Sequence, residues 1–136
     1  MKHIKYFESN GEILNKGWKG VNIGKVENED IIYQYVQQLH RDNNDFIDGD
    51  LGERIEKYRR YQLREVNLSE VDLDEWDVDM DIVDDYIEMF QIDQDYPPIV
   101  LDNGYPLDYS IIDGIHRANA LSKMGIKKIK AWIGIR

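Results

Sequence analysis

The sequence contains no cysteine, only three prolines among 136 residues, and no apolar run near the ~20 residues that a membrane-spanning helix needs. Without cysteine the chain cannot form disulfides, and its composition fits the reducing cytoplasm. The N-terminus lacks the apolar segment of a secretory signal peptide. We therefore expect a cytoplasmic protein that does not enter a membrane, folded as a single domain over residues 1–136.

Lysine and arginine are absent from Glu65 to Asp113, a stretch that carries 16 acidic residues. From Arg117 to Arg136 the balance reverses, with six basic residues and no acidic one, and the whole chain has a net charge of −10. Because affinity for duplex DNA depends on Lys and Arg contacts to phosphate, direct DNA binding is not expected. The acidic residues suit the solvated face of a helix. The alternative is a folded acidic surface, residues 70–95, that imitates nucleic acid and binds a basic protein partner.

Hydrophobic periodicity predicts two amphipathic helices. One runs from Glu29 to about His40 and the other covers about residues 80–91, with Asp79 or Asp81 as its N-cap. Their apolar stripes are Ile31, Ile32, Tyr35, Val36 and Leu39 in the first and Ile82, Val83, Tyr86, Ile87 and Phe90 in the second. His40 and His3 are interpreted as ordinary surface or edge residues.

Shorter patterns predict the remaining elements. Asn10-Gly11 between apolar runs predicts a β-hairpin, and a further short strand is predicted to hold Trp18, Val21 and Ile23. Leu51, Ile55 and Tyr58 predict a short helix. The later strands are predicted at Pro98–Leu101, at Ile111-Ile112 and at Ile126–Ile135, where Ile129, Ala131 and Ile133 alternate with Lys130, Trp132 and Gly134. The order of elements predicts an α+β fold with a small mixed sheet, to which residues 1–60 add an N-terminal hairpin and helix layer.

The most informative stretch is the passage from the strand at Ile111-Ile112 into a helix through Asp-Gly-Ile-His-Arg. Gly114 lets the backbone approach a ligand closely, and the N–H groups of the first helical turn favour an anion. His116 and Arg117 add donors and positive charge that suit phosphate. The alternative is an exposed first turn in which Arg117 pairs with a carboxylate and Asp113 caps the helix.

Arginines 59, 60 and 64 form a second basic cluster. Two interpretations are open. These arginines could interact with the C-terminal end of the preceding short helix, or they could provide a second set of phosphate contacts.

The segment Asp113–Ala120, with Pro97–Leu101 before it and Gly125-Ile126 and Ile129–Ile133 after it, resembles the ParB/sulfiredoxin superfamily. Gly114, Arg117 and Ala120 match that family's Gly-x-x-Arg-x-x-Ala pattern, and Leu63–Val71 resembles its first strand. The resemblance covers about residues 61–136. Two departures matter. Ile115 stands where sulfiredoxins have their reactive cysteine, and no helical DNA-binding region follows within this sequence.

The resemblance implies that the turn at Gly114–Arg117 holds nucleotide phosphates, with ATP or CTP as the expected cofactor. Mg²⁺ is expected with it for a separate reason, because carboxylates beside bound phosphates can hold this ion and Asp113 comes one residue before the turn. The expected ligand is a nucleotide or another phosphorylated small molecule. If the protein is an enzyme, it is a phosphotransferase, an NTPase or a nuclease. Asp113, His116 and Arg117 are then the predicted catalytic residues. Arg117 would stabilise charge on the phosphate, His116 would orient it or act as acid or base, and Asp113 would hold Mg²⁺ or accept a proton. The predicted ligand-binding residues are Gly114, Ile115, His116, Arg117 and Asn119.

Overall fold

The structure is a computed structural model that describes residues 18–43, 49–74, 77–104 and 108–136. Within these ranges the chain forms five strands and four α-helices. In chain order they are β1 (Val26–Asn28), α1 (Glu29–Asp42), α2 (Leu51–Glu56), β2 (Arg60–Asn67), α3 (Met80–Ile92), β3 (Ile99–Leu101), β4 (Ile111–Asp113), α4 (Ile115–Lys123) and β5 (Lys128–Ile135).

The five strands form one mixed sheet in the order β1-β2-β5-β3-β4. Strands β3 and β5 are parallel, and the other neighbours are antiparallel. The longest ladder joins β2 to β5, from the pair Arg60 and Ile135 to the pair Asn67 and Lys128. This architecture confirms the predicted α+β fold with a small mixed sheet.

Helices cover both faces of the sheet. Helices α1 and α2 pack on the face that contains Trp132, whereas α3 and α4 pack on the face that contains Ile129, Ala131 and Ile133. The predicted alternation of side chains along β5 is therefore confirmed. Trp132 is completely buried and fills the core beneath α1 and α2.

Both long helices are confirmed with small changes at their ends, at Glu29–Asp42 and Met80–Ile92. Asp79 caps α3, since its side chain accepts from the N–H groups of Asp81 and Ile82. The predicted helix layer over residues 1–60 is present as α1 and α2. The hairpin predicted at Asn10-Gly11 lies outside the described residues.

The strand predicted to hold Trp18, Val21 and Ile23 is wrong. Trp18 lies in a 3₁₀ turn, Trp18–Gly20, and the strand begins later, at Val26. Gly24 has a φ of +97°, a left-handed conformation that interrupts an extended chain. Its N–H donates to the carbonyl of Leu63 at 2.8 Å, which brings the chain onto the edge of β2.

Among the helices of the described ranges, none combines the length and the apolar composition needed to cross a lipid bilayer.

Candidate functional site

The turn between β4 and α4 depends on Gly114. Its φ of +108° is left-handed, and a Cβ at this position would lie 2.6 Å from Ile99 Cγ2 and 2.9 Å from Arg117 Nη2. A side chain is excluded both by backbone conformation and by contact with β3. Close packing inside the protein is thus sufficient to explain why glycine occupies position 114. The close approach of a ligand to this glycine stays a prediction.

Asp113, the last residue of β4, joins two basic side chains in the interior. Its Oδ1 lies 2.5 Å from His40 Nε2, and its Oδ2 accepts from Arg117 Nη2 at 3.3 Å. All three residues are buried, with less than a tenth of their surface exposed. The network therefore fixes the C-terminal end of α1 and the first turn of α4 to the same carboxylate.

The interpretation of His40 as a surface or edge residue is wrong. His40 lies in the last turn of α1 and is only 7% exposed. Its spacing from Ile32 and Val36, at i+8 and i+4, puts it on the buried stripe of the helix. That spacing is the signal in the sequence that could have placed it in the core.

Arg117 lies behind the turn. It is 1% exposed, and its Nη2 also donates to the carbonyl of Pro98 at 3.3 Å. The Tyr35 hydroxyl donates to the same carbonyl at 2.9 Å. Burial raises the pKa of Tyr35 above its ordinary value, and the nearby Arg117 charge opposes that rise. The alternative interpretation of the turn, an exposed first turn, was correct that Arg117 pairs with a carboxylate and wrong that it is exposed. It was also wrong that Asp113 caps the helix, because the N-cap is Gly114 and no side chain caps this end.

A cleft of about 740 Å³ opens in front of this turn. Of the predicted site residues, the four from Asp113 to His116 line it, while Arg117 and Asn119 do not. Its other walls come from α1, α2 and the segment that leads into α3, represented by His40, Arg54, Asp77 and Asp79. The structure therefore gathers most of the predicted residues in one concave site.

His116 connects the first turn of α4 to the start of α3. Its Nε2 accepts from the backbone N–H of Asp79 at 3.1 Å, which requires Nε2 to be unprotonated. Because Asp79 is the N-cap of α3, the N-terminal ends of two helices meet at this wall of the cleft. Partial positive charge from both helix ends is directed toward this region.

Arg54 of α2 is a cleft residue that the sequence interpretation missed. Its Nη2 donates to the carbonyl of Ile112 at 3.0 Å and its Nη1 to Asp50 Oδ1 at 2.6 Å. About a fifth of its side chain remains exposed. It comes 58 positions before its partner in β4, so no local pattern connects the two.

The basic residues that the sequence did single out lie elsewhere. Arg59 and Arg60 are exposed at the start of β2, and Arg64 donates through Nε to Gln62 Oε1 at 2.9 Å. None of these three arginines lines the cleft.

Asn119 does not line the cleft, and its side chain bonds to the protein backbone instead. Its Nδ2 donates to the carbonyl of Ile115 at 2.9 Å and to that of Leu73 at 3.4 Å. It thereby links α4 to the chain that precedes α3.

Carboxylates also line the cleft, namely those of Asp50, Asp77, Asp79 and Asp113. Asp113 does not fit the role of a Mg²⁺ ligand, because both of its oxygens are already bonded to His40 and Arg117. Within the residues that the structure describes, no group of three His, Cys, Asp or Glu side chains is arranged to hold a metal ion.

Comparison with protein-family models and with curated proteins finds no match to this chain. The resemblance to the ParB/sulfiredoxin superfamily accordingly stays a prediction that depends on the residues quoted for it.

Proposed function

We propose that the protein binds a nucleotide or another phosphorylated small molecule in the cleft in front of α4. The observation that carries this proposal is the combination of three donors at one concave site. These are the N–H groups in the first turn of α4, the side chain of Arg54 and the ring of His116, whose proton is on Nδ1 when Nε2 accepts. A helix N-terminus with a nearby guanidinium suits phosphate oxygens, and the cleft has the size of a small-molecule site.

The proposed roles follow from position. The first-turn N–H groups and Arg54 contact the phosphate, and His116 orients it. Arg117 and Asp113 position the turn, because the buried network holds them behind or beneath it. Asn119 is assigned no ligand contact, since it bonds to the backbone of Ile115 and Leu73.

Asp50 and Asp113 are paired with basic side chains, but the other two carboxylates of the cleft would repel a bare phosphate. We therefore propose that a nucleotide such as ATP or CTP binds as its Mg²⁺ complex. Mg²⁺ usually retains water and takes one or two carboxylates in addition to substrate phosphates. Asp77 and Asp79, which are exposed at the cleft, are the carboxylates that could contact such a complex.

If the bound ligand reacts, the proposed class is phosphoryl transfer or phosphoester hydrolysis. The N–H groups of α4 and the Arg54 guanidinium would stabilise negative charge on the phosphoryl group. His116 would be the acid or base, because it lines the cleft. Its Nε2 already accepts from the Asp79 N–H, so the proton would pass through Nδ1.

The test is a thermal-shift screen of ATP, CTP, GTP and ADP with and without Mg²⁺. A bound ligand raises the apparent stability by mass action. We expect an increase for the wild type that is lost in Arg54→Ala and reduced in His116→Ala. Arg64→Ala, which removes the same charge outside the cleft, should behave like the wild type. If no nucleotide shifts the wild type, or if Arg54→Ala and Arg64→Ala respond alike, the proposal fails.

A second candidate function is that of an acidic interaction protein, and one observation favours it. The exposed face of α3 carries Asp81, Asp84, Asp85 and Glu88, and it continues into Ile92, which is 85% exposed. Such a face offers both negative charge and apolar contact to a basic protein.

The experiment for this candidate compares two baits in an affinity capture followed by identification of the retained proteins. One bait is the wild type, and the other carries Asp84→Lys and Asp85→Lys. A basic protein retained only by the wild type would support the candidate. Equal retention by both baits would exclude α3 as the contact surface.

A further inference from the structure

Four positively charged side chains meet where β2 begins and β5 ends. Lys57, Arg59, Arg60 and Arg136 surround a hollow of about 410 Å³, together with Tyr58 and Ile135. We call these four cations the basic corner. The antiparallel ladder explains how they meet, because Arg60 pairs directly with Ile135.

The backbone beneath the basic corner is firmly held. Tyr58 is buried, and its ring lies so close to Gly134 that a Cβ there would be 2.2 Å from Tyr58 Cδ2. The Tyr58 hydroxyl donates to Asp102 Oδ1, and Lys57 Nζ donates to Asp102 Oδ2 at 2.6 Å. The segment that carries Lys57, Arg59 and Arg60 is therefore fixed both to β5 and to the chain just after β3.

The charge of the basic corner is poorly compensated. Among the described residues, no aspartate or glutamate lines the hollow, and Lys57 is the one member of the basic corner with an ion pair, to Asp102. Within the described ranges, Arg59, Arg60 and Arg136 have no ion-pair partner. This concentration is unusual in a chain with 27 acidic and 17 basic residues. The like charges of Arg59, Arg60 and Arg136 repel one another without such compensation, so an anion that enters the hollow reduces an unfavourable interaction.

We propose that the basic corner is a second anion-binding site, which takes a compact polyphosphate. Three guanidinium groups favour phosphate, whose oxygens match their paired N–H donors. The hollow is smaller than the cleft, and the acidic surface elsewhere disfavours a long nucleic acid strand. The ligand class is therefore a short chain of phosphates, free or attached to a small molecule.

The basic corner is separate from the cleft in front of α4. The two sites share no lining residue. Strand β3 runs parallel to β5 and antiparallel to β4. The end of β4 that leads into α4 thus points away from the end of β5 that carries Arg136. The two proposals can consequently be tested independently.

The experiment is a residue-resolved NMR titration with inorganic tripolyphosphate as the probe. We expect the amide signals of Arg59, Arg60, Ile135 and Arg136 to shift together and to saturate. Arg60→Glu should weaken the affinity read from these signals by about tenfold or more, as expected when a charged hydrogen bond becomes a repulsion. Arg64→Glu is the matched control. It makes the same charge change on the same strand outside the hollow, and the affinity should stay within about threefold.

Several results would overturn the proposal. The proposal is overturned if tripolyphosphate shifts no amide signal at the basic corner. It is also overturned if Arg60→Glu and Arg64→Glu lose the same amount of affinity, because that result indicates a general charge effect. Shifts confined to Gly114, Ile115 and His116 would place phosphate in the cleft alone. An oligoglutamate peptide that binds as tightly as tripolyphosphate would make the basic corner a site for acidic protein segments instead. Circular dichroism checks that Arg60→Glu is folded. If it is not, Arg59→Glu replaces it in the same titration, because Arg59 lines the same hollow.

Discussion

At the scale of single residues, the structure gives Gly114 and Arg117 internal roles that a motif alone does not reveal. Gly114 packs against Ile99 of β3, and Arg117 bonds to Asp113 and to the carbonyl of Pro98. Both residues hold the start of α4 against the sheet. A ligand at the cleft would therefore meet a turn that is already in place, which lowers the entropic cost of binding.

Replacing Gly114 with alanine should destabilise the fold strongly. The substitution adds the cost of a left-handed residue to a Cβ contact of 2.6 Å with Ile99. We expect the free energy of unfolding to fall by about 2–5 kcal/mol, measured by denaturant titration. Gly125→Ala is the control, because Gly125 has a φ of +81° but nothing within 4 Å of the added Cβ. It should lose only about 1–2 kcal/mol. Equal losses would contradict the packing role of Gly114.

His40 and Asp113 should be energetically coupled. Their contact of 2.5 Å is buried, so removal of one partner leaves the other in a poorly solvated site. In a double-mutant cycle with alanine, measured by chemical denaturation, we expect a coupling of at least about 1 kcal/mol.

The control cycle uses Asp50 and Arg54, whose contact is also short at 2.6 Å but involves a largely exposed aspartate. Its coupling should stay below about 0.5 kcal/mol. A coupling near zero for His40 and Asp113 would show that the buried contact contributes nothing to stability.

At the scale of elements, the chain after α2 is joined to the chain after β3 through Asp102. Burial raises the pKa of the Asp102 carboxyl, but the hydrogen bonds from Lys57 and Tyr58 outweigh it and hold that pKa below 3.8, its ordinary value. The same contact with Asp102 raises the pKa of Lys57 above 10.5. Both side chains are therefore charged between pH 3.8 and pH 10.5, and over that range their contact joins the end of α2 to the end of β3.

Asp102 should make the stability depend on pH in acid. A carboxyl whose pKa is lowered by folding contributes its full stabilisation above pH 3.8, and the contribution is lost as the pH falls through the lower, folded-state value. At pH 7 we expect Asp102→Asn to lower the free energy of unfolding by about 1 kcal/mol. The difference from the wild type should shrink below about pH 4. A difference that stays constant from pH 7 to pH 3 would contradict this account.

The sequence predicted the long helices and β5 well, because each has a clear apolar period that burial then enforces. It predicted β3 and β4 at nearly correct positions, although each has only three residues. It failed at residues 18–25, where Gly24 turns a chain whose apolar residues had suggested a strand.

The sequence predicted only those residues of the candidate site that are neighbours along the chain. Asp113, Gly114, Ile115 and His116 are consecutive, and the strand-to-helix junction places them together. Arg54 and His40 come from α2 and α1, and they reach β4 across 58 and 73 positions of sequence. Only the packing of the N-terminal helices on the sheet brings them to the cleft, and no short motif encodes that packing.

At the scale of the whole molecule, charge is distributed unevenly over an acidic protein. Carboxylates cover the exposed face of α3, whereas positive charge lies at the basic corner, at Arg54 in the cleft and on the exposed lysines 127, 128 and 130 before and along β5. The net charge of −10 opposes binding of a phosphorylated ligand in general, so a concave site with positively charged donors is favoured over the open surface. The account therefore predicts selective binding at defined sites and little general affinity for polyanions.

The most direct test of the central proposal is an NMR titration of the uniformly ¹⁵N-labelled protein with a nucleotide and Mg²⁺. The account predicts saturable shifts of the Gly114, Ile115 and His116 amides, because their N–H groups lie where the phosphate is proposed to bind. These shifts should disappear in Arg54→Ala and persist in Arg64→Ala. If the amides of this turn do not move at saturating nucleotide, the cleft is not a phosphate site and the proposed function is wrong.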